Sequence, residues 1–241
     1  MNKRKICCII PARGGSKGIK NKNIKLLCNK PLINYTIEEA LKSKYLDKII
    51  LSTDDKKIAQ ITNKFGITVP FMRPKKLAKD NSPMLPVIKH LLNKLEKDYS
   101  YDPEIIILLQ PTSPLRTVKH INEAIKKFLK SKSDSLVSVT KLPHNMNPYS
   151  IMKLERNGNL KKFLKYDEKK NLRQLKPIFY ARNGAAIYIT TKKTIFKKNS
   201  FFGDTILPYF MSKIDSIDID DQLDWIFAET IIKNLKNLKN L

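Results

Sequence analysis

Apolar positions along the chain switch repeatedly between a strand period and a helix period. KICCII (residues 5–10) is a continuous apolar run ended by Pro11, the pattern of a short strand buried on both faces. Residues 31–44 then place Leu32, Ile33, Ile37, Ala40 and Leu41 at helical spacing. DKIILST (47–53) reads as a second buried strand, followed by a helix over 55–65 with Gly66 as its C′ residue. ITVPF (67–71) predicts another strand, 83–97 a helix, and EIIILLQ (104–110) the most strand-like run in the chain. A helix over 117–131 and a strand at SLVSVT (135–140) complete a repeated βα pattern. Strands and helices alternating in this way predict an α/β fold with a parallel sheet and right-handed crossovers.

The pattern weakens between 141 and 180, where prolines at 143, 148 and 177 flank the basic stretch LKKFLKYDEKKNLR. This reads as an excursion from the core: an insert, a lid or a subunit contact. The alternation returns with AAIYIT (185–190), ILPYF (206–210), KIDSIDI (213–219) and a helix over 221–238. The chain therefore divides into a core of 1–140 with 181–241 and a protruding segment of 141–180.

Composition narrows the class. A chain of 241 residues with 41% hydrophobic content has enough material for a packed core. No apolar run approaches the ~20 residues of a membrane span, and the apolar stretch before Arg13 is too short for a secretory leader. The expected location is the cytoplasm. Cys7, Cys8 and Cys28 are an odd set with no disulfide or zinc spacing, and adjacent Cys7 and Cys8 would point to opposite faces of a strand.

The formal charge of +25 invites a polyanion partner, but 40 of the 47 basic residues are lysines, and these are scattered among Asn and Ile. Readers of base sequence lean on arginine for bidentate contacts, so nucleic acid is not the expected partner, nor is a membrane. The glycines are more informative, because three of the seven (Gly14, Gly15, Gly18) fall within five positions.

Three segments could carry chemistry. Pro11 to Gly18 (PARGGSKG) directly follows the first strand, where backbone N–H groups can approach an anion, with Arg13, Lys17, Lys20 and Lys22 adding charge. It fits neither a Walker A loop nor G-x-G-x-x-G, and an ordinary βα turn is the alternative. QPTSPLR (110–116) follows another buried strand and should share a crevice with the first loop. Gln110 and Thr112 offer hydrogen bonds and Arg116 an anion contact; helix capping and a surface ion pair are the alternative there. In SIDID (216–220), a strand would put Asp218 and Asp220 on one side, a pair suited to Mg²⁺ with substrate phosphates. Asp220 or Asp221 capping the last helix is the alternative. His90, His120 and His144 lie outside these loops, which disfavours nucleophilic hydrolysis. The constellation fits phosphoryl or nucleotidyl transfer from a Mg²⁺–triphosphate.

In order along the chain, IIPARGGSKGIKNKN (9–23), IILSTDD (49–55), RPKKLAKDNSP (73–83), LLQPTSPLR (108–116), RNGAAIYIT (182–190) and DSIDIDD (215–221) resemble the acylneuraminate cytidylyltransferases, including their legionaminic acid branch. The resemblance implies CMP transfer from CTP to an acidic nine-carbon α-keto acid sugar, with Mg²⁺ and release of pyrophosphate. It implies a Rossmann-like, mostly parallel sheet flanked by helices, with 141–180 as a small dimerisation subdomain of a homodimer.

Residue by residue, the resemblance carries triphosphate binding onto Ala12, Arg13, Gly14, Gly15, Ser16, Lys22 and Asn23. It places Arg73, Asp80 and Ser82 on the cytidine side. The sugar falls to Gln110, Thr112, Arg116, Arg173, Asn183 and Gly184, with Arg173 helping to receive its carboxylate, and Mg²⁺ falls to Asp218 and Asp220. Arg13, Lys22, Asp218 and Asp220 are the expected catalytic set. One departure stands out: Ala181 occupies the position where many relatives carry arginine, and Arg182 follows one place later, pointing from the other face of the strand. No function is carried onto Arg182. Alternative readings are a CMP-Kdo or CMP-pseudaminate synthetase and, from another class, a non-catalytic polyanion-binding module.

Overall fold

The computed structural model describes residues 4–164 and 176–235. The apolar run at the N-terminus forms β1 (Ile6–Pro11), buried along its whole length. A small ribbon of β2 (Leu26–Leu27) and β3 (Lys30–Pro31) leads into α1 (Leu32–Leu41). Next come β4 (Lys48–Ser52), α2 (Lys56–Asn63), α3 (Met84–Tyr99), β5 (Ile105–Leu108), α4 (Val118–Lys130) and β6 (Ser135–Lys141). The hairpin β7 (Met152–Leu154) and β8 (Leu160–Lys162) precedes β9 (Tyr180–Arg182) and β10 (Tyr188–Thr191). Helix α5 (Lys192–Lys197), β11 (Ile206–Phe210) and α6 (Gln222–Lys233) complete the described chain.

The main sheet runs β11-β6-β10-β5-β1-β4, with β9 added on β6. Strands β4, β1, β5, β6 and β11 share one direction, while β10 runs against both of its neighbours, β5 and β6. The sheet is thus a mostly parallel α/β sheet, with β10 reversed inside it and β9 also antiparallel to β6. The period-2 rule sorts β1 between two cores. Cys8 and Ile10 pack with Ile33 and Ile37 of α1 and Ile121, Ile125 and Phe128 of α4. Cys7 and Ile9 pack with Ile88, Leu91 and Leu95 of α3 and Ile195 of α5. Each fully buried Ile contributes about 1.5–3 kcal/mol. Burial also pushes both β1 thiols up, Cys7 to about 12, so they behave as inert core groups.

A third cluster matters more for the site. Ile219, Trp225 and Ala228 pack on Ile19, Leu27 and Leu32, which docks α6 and the segment before it onto the glycine-rich loop. Asp221 caps α6 by accepting from Leu223 N and Asp224 N, and Asp224 answers by accepting from Asp221 N. The cap therefore falls to Asp221, and the side chains of Asp218 and Asp220 are not used for it.

Two expected strands do not form. Residues 67–71 touch β4 only through a single bridge, Ile50 to Thr68, because Pro70 lacks a donor and the chain then turns so that Arg73 N can reach Thr53 O. Residues 213–219 begin with a turn held by Ser212 and Asp215 and continue as an extended crossing, with Ile219 N donating to Thr112 O at 2.8 Å. That crossing carries Asp218 and Asp220 over the strand ends instead of along a sheet edge.

Residues 141–180 leave and re-enter the sheet side by side. Val139, Thr140 and Lys141 of β6 pair with Arg182, Ala181 and Tyr180 of β9. Among the described residues, the hairpin β7–β8 between them pairs with no other strand and leaves Met152, Leu154, Leu160 and Phe163 exposed.

Candidate active site

The carboxyl ends of β1, β4 and β5 open on one side of the sheet, and the loops after them build a crevice there. Ala12 N donates to Ser52 O at 2.9 Å, pinning the start of the glycine-rich loop to the end of β4. Gly14 N donates to Asp54 Oδ1 at 3.0 Å, and a Cβ on Gly14 would come within 2.6 Å of the Asp55 carboxylate. Asn23 Nδ2 closes the loop by donating to Arg13 O at 2.9 Å. Gly15 has open space around it.

The cationic side chains of the loop hold carboxylates. Arg13 Nη1 donates to Asp80 Oδ1 at 2.6 Å, and Lys17 Nζ lies 3.3 Å from Asp80 Oδ2. Desolvation raises the Asp80 carboxyl, but the hydrogen bonds and charges of Arg13 and Lys17 together outweigh it and hold the group below the usual range. Lys22, largely buried, donates through Nζ to Ile219 O at 2.6 Å and lies 3.6 Å from Asp220 Oδ1. A cavity of about 320 Å³ is lined by Arg13, Ser16, Lys22 and Asn23 together with Gln110, Thr112, Arg73 and Asp220.

Asp218 faces the same region from a drier position. Burial raises its carboxyl above the ordinary range, with the Thr112 hydroxyl and Lys22 opposing that rise and Asp220 adding to it. Its Oδ1 is buried without a hydrogen-bond partner among the described residues. An orphaned carboxylate oxygen beside a second, exposed carboxylate is a donor set that fits a hard divalent cation completing its shell with substrate oxygens. No ready-made group of three or more ligands exists among the described residues, so protein carboxylates alone would not complete such a shell.

Several expected site residues turn out to support the crevice from beneath. Arg116 is 1% exposed and does not reach the cavity. Its guanidinium donates to Gln110 O, Ala186 O and Thr36 Oγ1, tying the loop after β5 to β10 and α1. The expected direct contact with substrate is thus not what this arrangement offers: the guanidinium is taken up by the protein's own acceptors. Burial lowers its pKa to about 10, with Cys8, Glu39 and Asp218 pulling it back up, so it stays cationic at neutral pH. Asn183 is also buried: Oδ1 accepts from Ser138 Oγ, and Nδ2 donates to Ser216 Oγ and Met211 Sδ. Its amide hydrogens are both occupied, so it positions the 211–216 turn and is not a free sugar contact.

Arg73 is buried against Ser52, donating to its hydroxyl and its carbonyl. Ser82 donates to Lys76 O and shapes its own turn. Gly184, at φ 64°, leaves space that the Asp218 carboxylate fills; any Cβ there would overlap it. Arg173 lies outside the described residues.

Sequence reasoning missed four contributors. Asp54 anchors Gly14, Ser52 receives Arg73, and Met84 lines the cavity. Arg182 lines a second cavity of about 560 Å³ that shares Gln110 and Met84 with the first. The IILSTDD segment marked Ser52 and Asp54 as part of a strand end, but nothing in one sequence says which loop a strand-end carboxylate will meet.

A cationic, glycine-rich loop lining one cavity, with a second cavity sharing Gln110, is the division of space expected of a nucleotidyltransferase. A family model described as cytidylyltransferase matches residues 7–230, and the chain belongs to that family. It is 37% identical over 231 residues to the CMP-N,N'-diacetyllegionaminic acid synthase of Legionella pneumophila, covering 95% of this chain and 97% of that protein. It is 40% identical to an N-acylneuraminate cytidylyltransferase of Escherichia coli, covering 94% of this chain but 52% of that longer protein. Among solved structures, CMP:2-keto-3-deoxy-manno-octonic acid synthetase complexed with CTP superposes with a TM-score of 0.71 at 14% identity, over 95% of this chain and 99% of that one. That likeness concerns the fold. Among the described residues, no helix is long and apolar enough to cross a membrane.

Proposed function

We propose that the protein transfers CMP from CTP to an acidic nine-carbon α-keto acid sugar of the N-acetylneuraminate or legionaminate type, releasing pyrophosphate. The observation that carries this reading is the meeting of Lys22 with the Ile219–Asp220 segment at the mouth of the glycine-rich loop. It brings the anion-binding and acidic elements to one cavity. The triphosphate lies along Ala12 to Ser16 and Asn23. Arg13 and Lys22 neutralise charge that grows on the departing pyrophosphate. For this, Arg13 and Lys17 exchange Asp80 for phosphate oxygens.

The C2 hydroxyl of the sugar attacks the α-phosphorus. The new O–P bond forms as the bond to the pyrophosphate oxygen breaks, and the hydroxyl proton passes to water. Asp218 and Asp220 would hold Mg²⁺, which when bound supplies charge neutralisation on the phosphates. Arg73, Asp80 and Ser82 shape the nucleoside side. Gln110 separates this cavity from the second one, which takes the sugar.

We place the enzyme in the cytoplasm and read it as a homodimer. The exposed apolar side chains of the hairpin β7–β8 (Met152, Leu154, Leu160, Phe163) are the surface that a second copy would cover.

The test is pyrophosphate release with Mg²⁺ and each of the four nucleoside triphosphates, using N-acetylneuraminate, legionaminate, pseudaminate and Kdo as acceptors. Release with CTP and a sialic- or legionaminic-type sugar is expected. Asp220→Asn should lower turnover far more than CTP affinity. Release with no acceptor, or equal use of all four triphosphates, overturns the reading.

A further inference from the structure

The second cavity has an uneven lining. Leu108, Tyr188, Phe201 and Phe202 make it largely apolar, Gln110 stands at its border with the triphosphate side, and Arg182 is its single charged lining residue. Arg182 is held by its backbone, since β9 pairs Arg182 with Val139 of β6. Its side chain is exposed. The guanidinium carbon lies 5.3 Å from the Phe202 ring centroid, a cation–π distance that orients the planar group over one wall of the cavity.

No carboxylate among the described residues forms an ion pair with Arg182. This contrasts with Arg13, which is neutralised by Asp80, and with Arg116, which is buried in carbonyls. Its charge is nonetheless felt inside the cavity. Burial raises the Tyr188 hydroxyl, and Arg182 pulls it back down.

An oriented guanidinium without a carboxylate partner, at the edge of an aromatic pocket, is complementary to a small planar anion on an otherwise weakly polar ligand. We infer that Arg182 is the specificity-determining residue that receives the carboxylate of the acceptor sugar, while Tyr188, Phe201 and Phe202 pack its apolar substituents. This rests on the proposed function and deepens it. It assigns to a residue of the core sheet a task that the family resemblance gave to Arg173.

The carboxylate is thereby anchored in the second cavity, which Lys22 does not line and which shares Gln110 with the first. An acceptor lacking the carboxylate loses its anchor, whereas the nucleotide side is untouched.

The test uses the full-length enzyme, Arg182→Gln and Arg182→Lys, with N-acetylneuraminate and its C1 methyl ester as acceptors and pyrophosphate release as the readout. In the wild type, the ester should be a poorer acceptor by roughly tenfold or more in kcat/KM. Arg182→Gln should raise KM for the free acid by a similar factor, leave KM for CTP within about twofold, and abolish the discrimination between acid and ester. Arg182→Lys should retain part of that discrimination, because it keeps the charge and loses the fork. The inference is overturned if Arg182→Gln keeps the wild-type acceptor KM, or if it discriminates between acid and ester as the wild type does. A wild-type enzyme that releases no pyrophosphate with any α-keto acid sugar overturns the proposed function itself, and this assignment with it.

Discussion

Lys22 Nζ donates to the carbonyl of Ile219 at 2.6 Å and lies 3.6 Å from Asp220 Oδ1. One lysine thus joins two segments almost two hundred residues apart in sequence, and it does so where the triphosphate loop meets the acidic crossing. The ammonium is largely shielded while its carboxylate partner is exposed, so the pair contributes more to position than to stability. Lys22→Met is expected to lower kcat/KM for CTP by about 10²–10³-fold, the range for removing one preorganised charge from a transition state. The loss of fold stability should be only about 1 kcal/mol, the worth of the hydrogen bond to Ile219. Steady-state kinetics beside urea unfolding of the same preparation separates the two effects.

Two glycines of one loop should respond oppositely to the same change. A Cβ on Gly18 would overlap the carbonyl of Asp220, a backbone atom that can yield only if the acidic crossing shifts, whereas nothing lies within 4 Å of a Cβ on Gly15. Gly18→Ala should reduce both stability and turnover, and Gly15→Ala should leave the unfolding free energy within about 0.5 kcal/mol of wild type. Equal effects of the two substitutions would show that the loop and the crossing are not packed together in this way.

Arg116 is a strut, and its removal should register in stability before it registers in binding. Arg116→Met strips the donors from Gln110 O, Ala186 O and Thr36 Oγ1 in a fully buried site. The expected cost is about 2–5 kcal/mol, from carbonyls left without partners. Urea titration measures it directly. A loss below 0.5 kcal/mol, roughly that of an ordinary surface change, would contradict the buried network.

His120 gives the fold an acid-sensitive element. Its Nδ1 accepts from Thr117 N in the cap of α4, and its Nε2 lies 3.7 Å from Asp215. Burial lowers its pKa, while Asp215 and Glu123 pull it back up and Lys119 and Arg116 push it down. The native state therefore favours the neutral ring. The sign follows: this contribution to stability is fully present above the ordinary histidine value of about 6.5 and is lost as pH falls through the lowered native value. His120→Gln retains a capping-box residue at the third helical position and removes the titration. The stability of wild type relative to His120→Gln should fall between pH 7 and pH 5, as measured by chemical denaturation at each pH. A pH-independent difference would refute the assignment.

Much of the molecule was legible along the chain because its signals are local. The continuous apolar runs of β1, β4 and β5 marked strands buried on both faces, and the helical spacing of α1, α3 and α4 marked their partners. The opposite facing of Cys7 and Cys8 also followed, because side-chain direction in a strand depends only on position along it. Residues 213–219 show where this local reading ends. Their alternation looks like a strand, yet the segment pairs with no ladder and spans the strand ends. Periodicity reports which side chains share a face and is silent on whether a neighbouring strand is there to pair.

The sequence by itself determined the α/β class, the strands whose carboxyl ends could host a ligand, and the residue types that suit a triphosphate and a divalent cation. Only the tertiary structure decided which of those residues meet. It reversed β10 inside a mostly parallel sheet, put Arg116 and Asn183 beneath the crevice, and brought Lys22 to Asp220. It also placed Arg182 at the mouth of the second cavity. The physical reason is that burial and electrostatic partnership are properties of contacts between distant segments. An arginine at the end of a conspicuous motif and an arginine one place out of register look alike in sequence until packing buries the first and leaves the second facing a ligand-sized space.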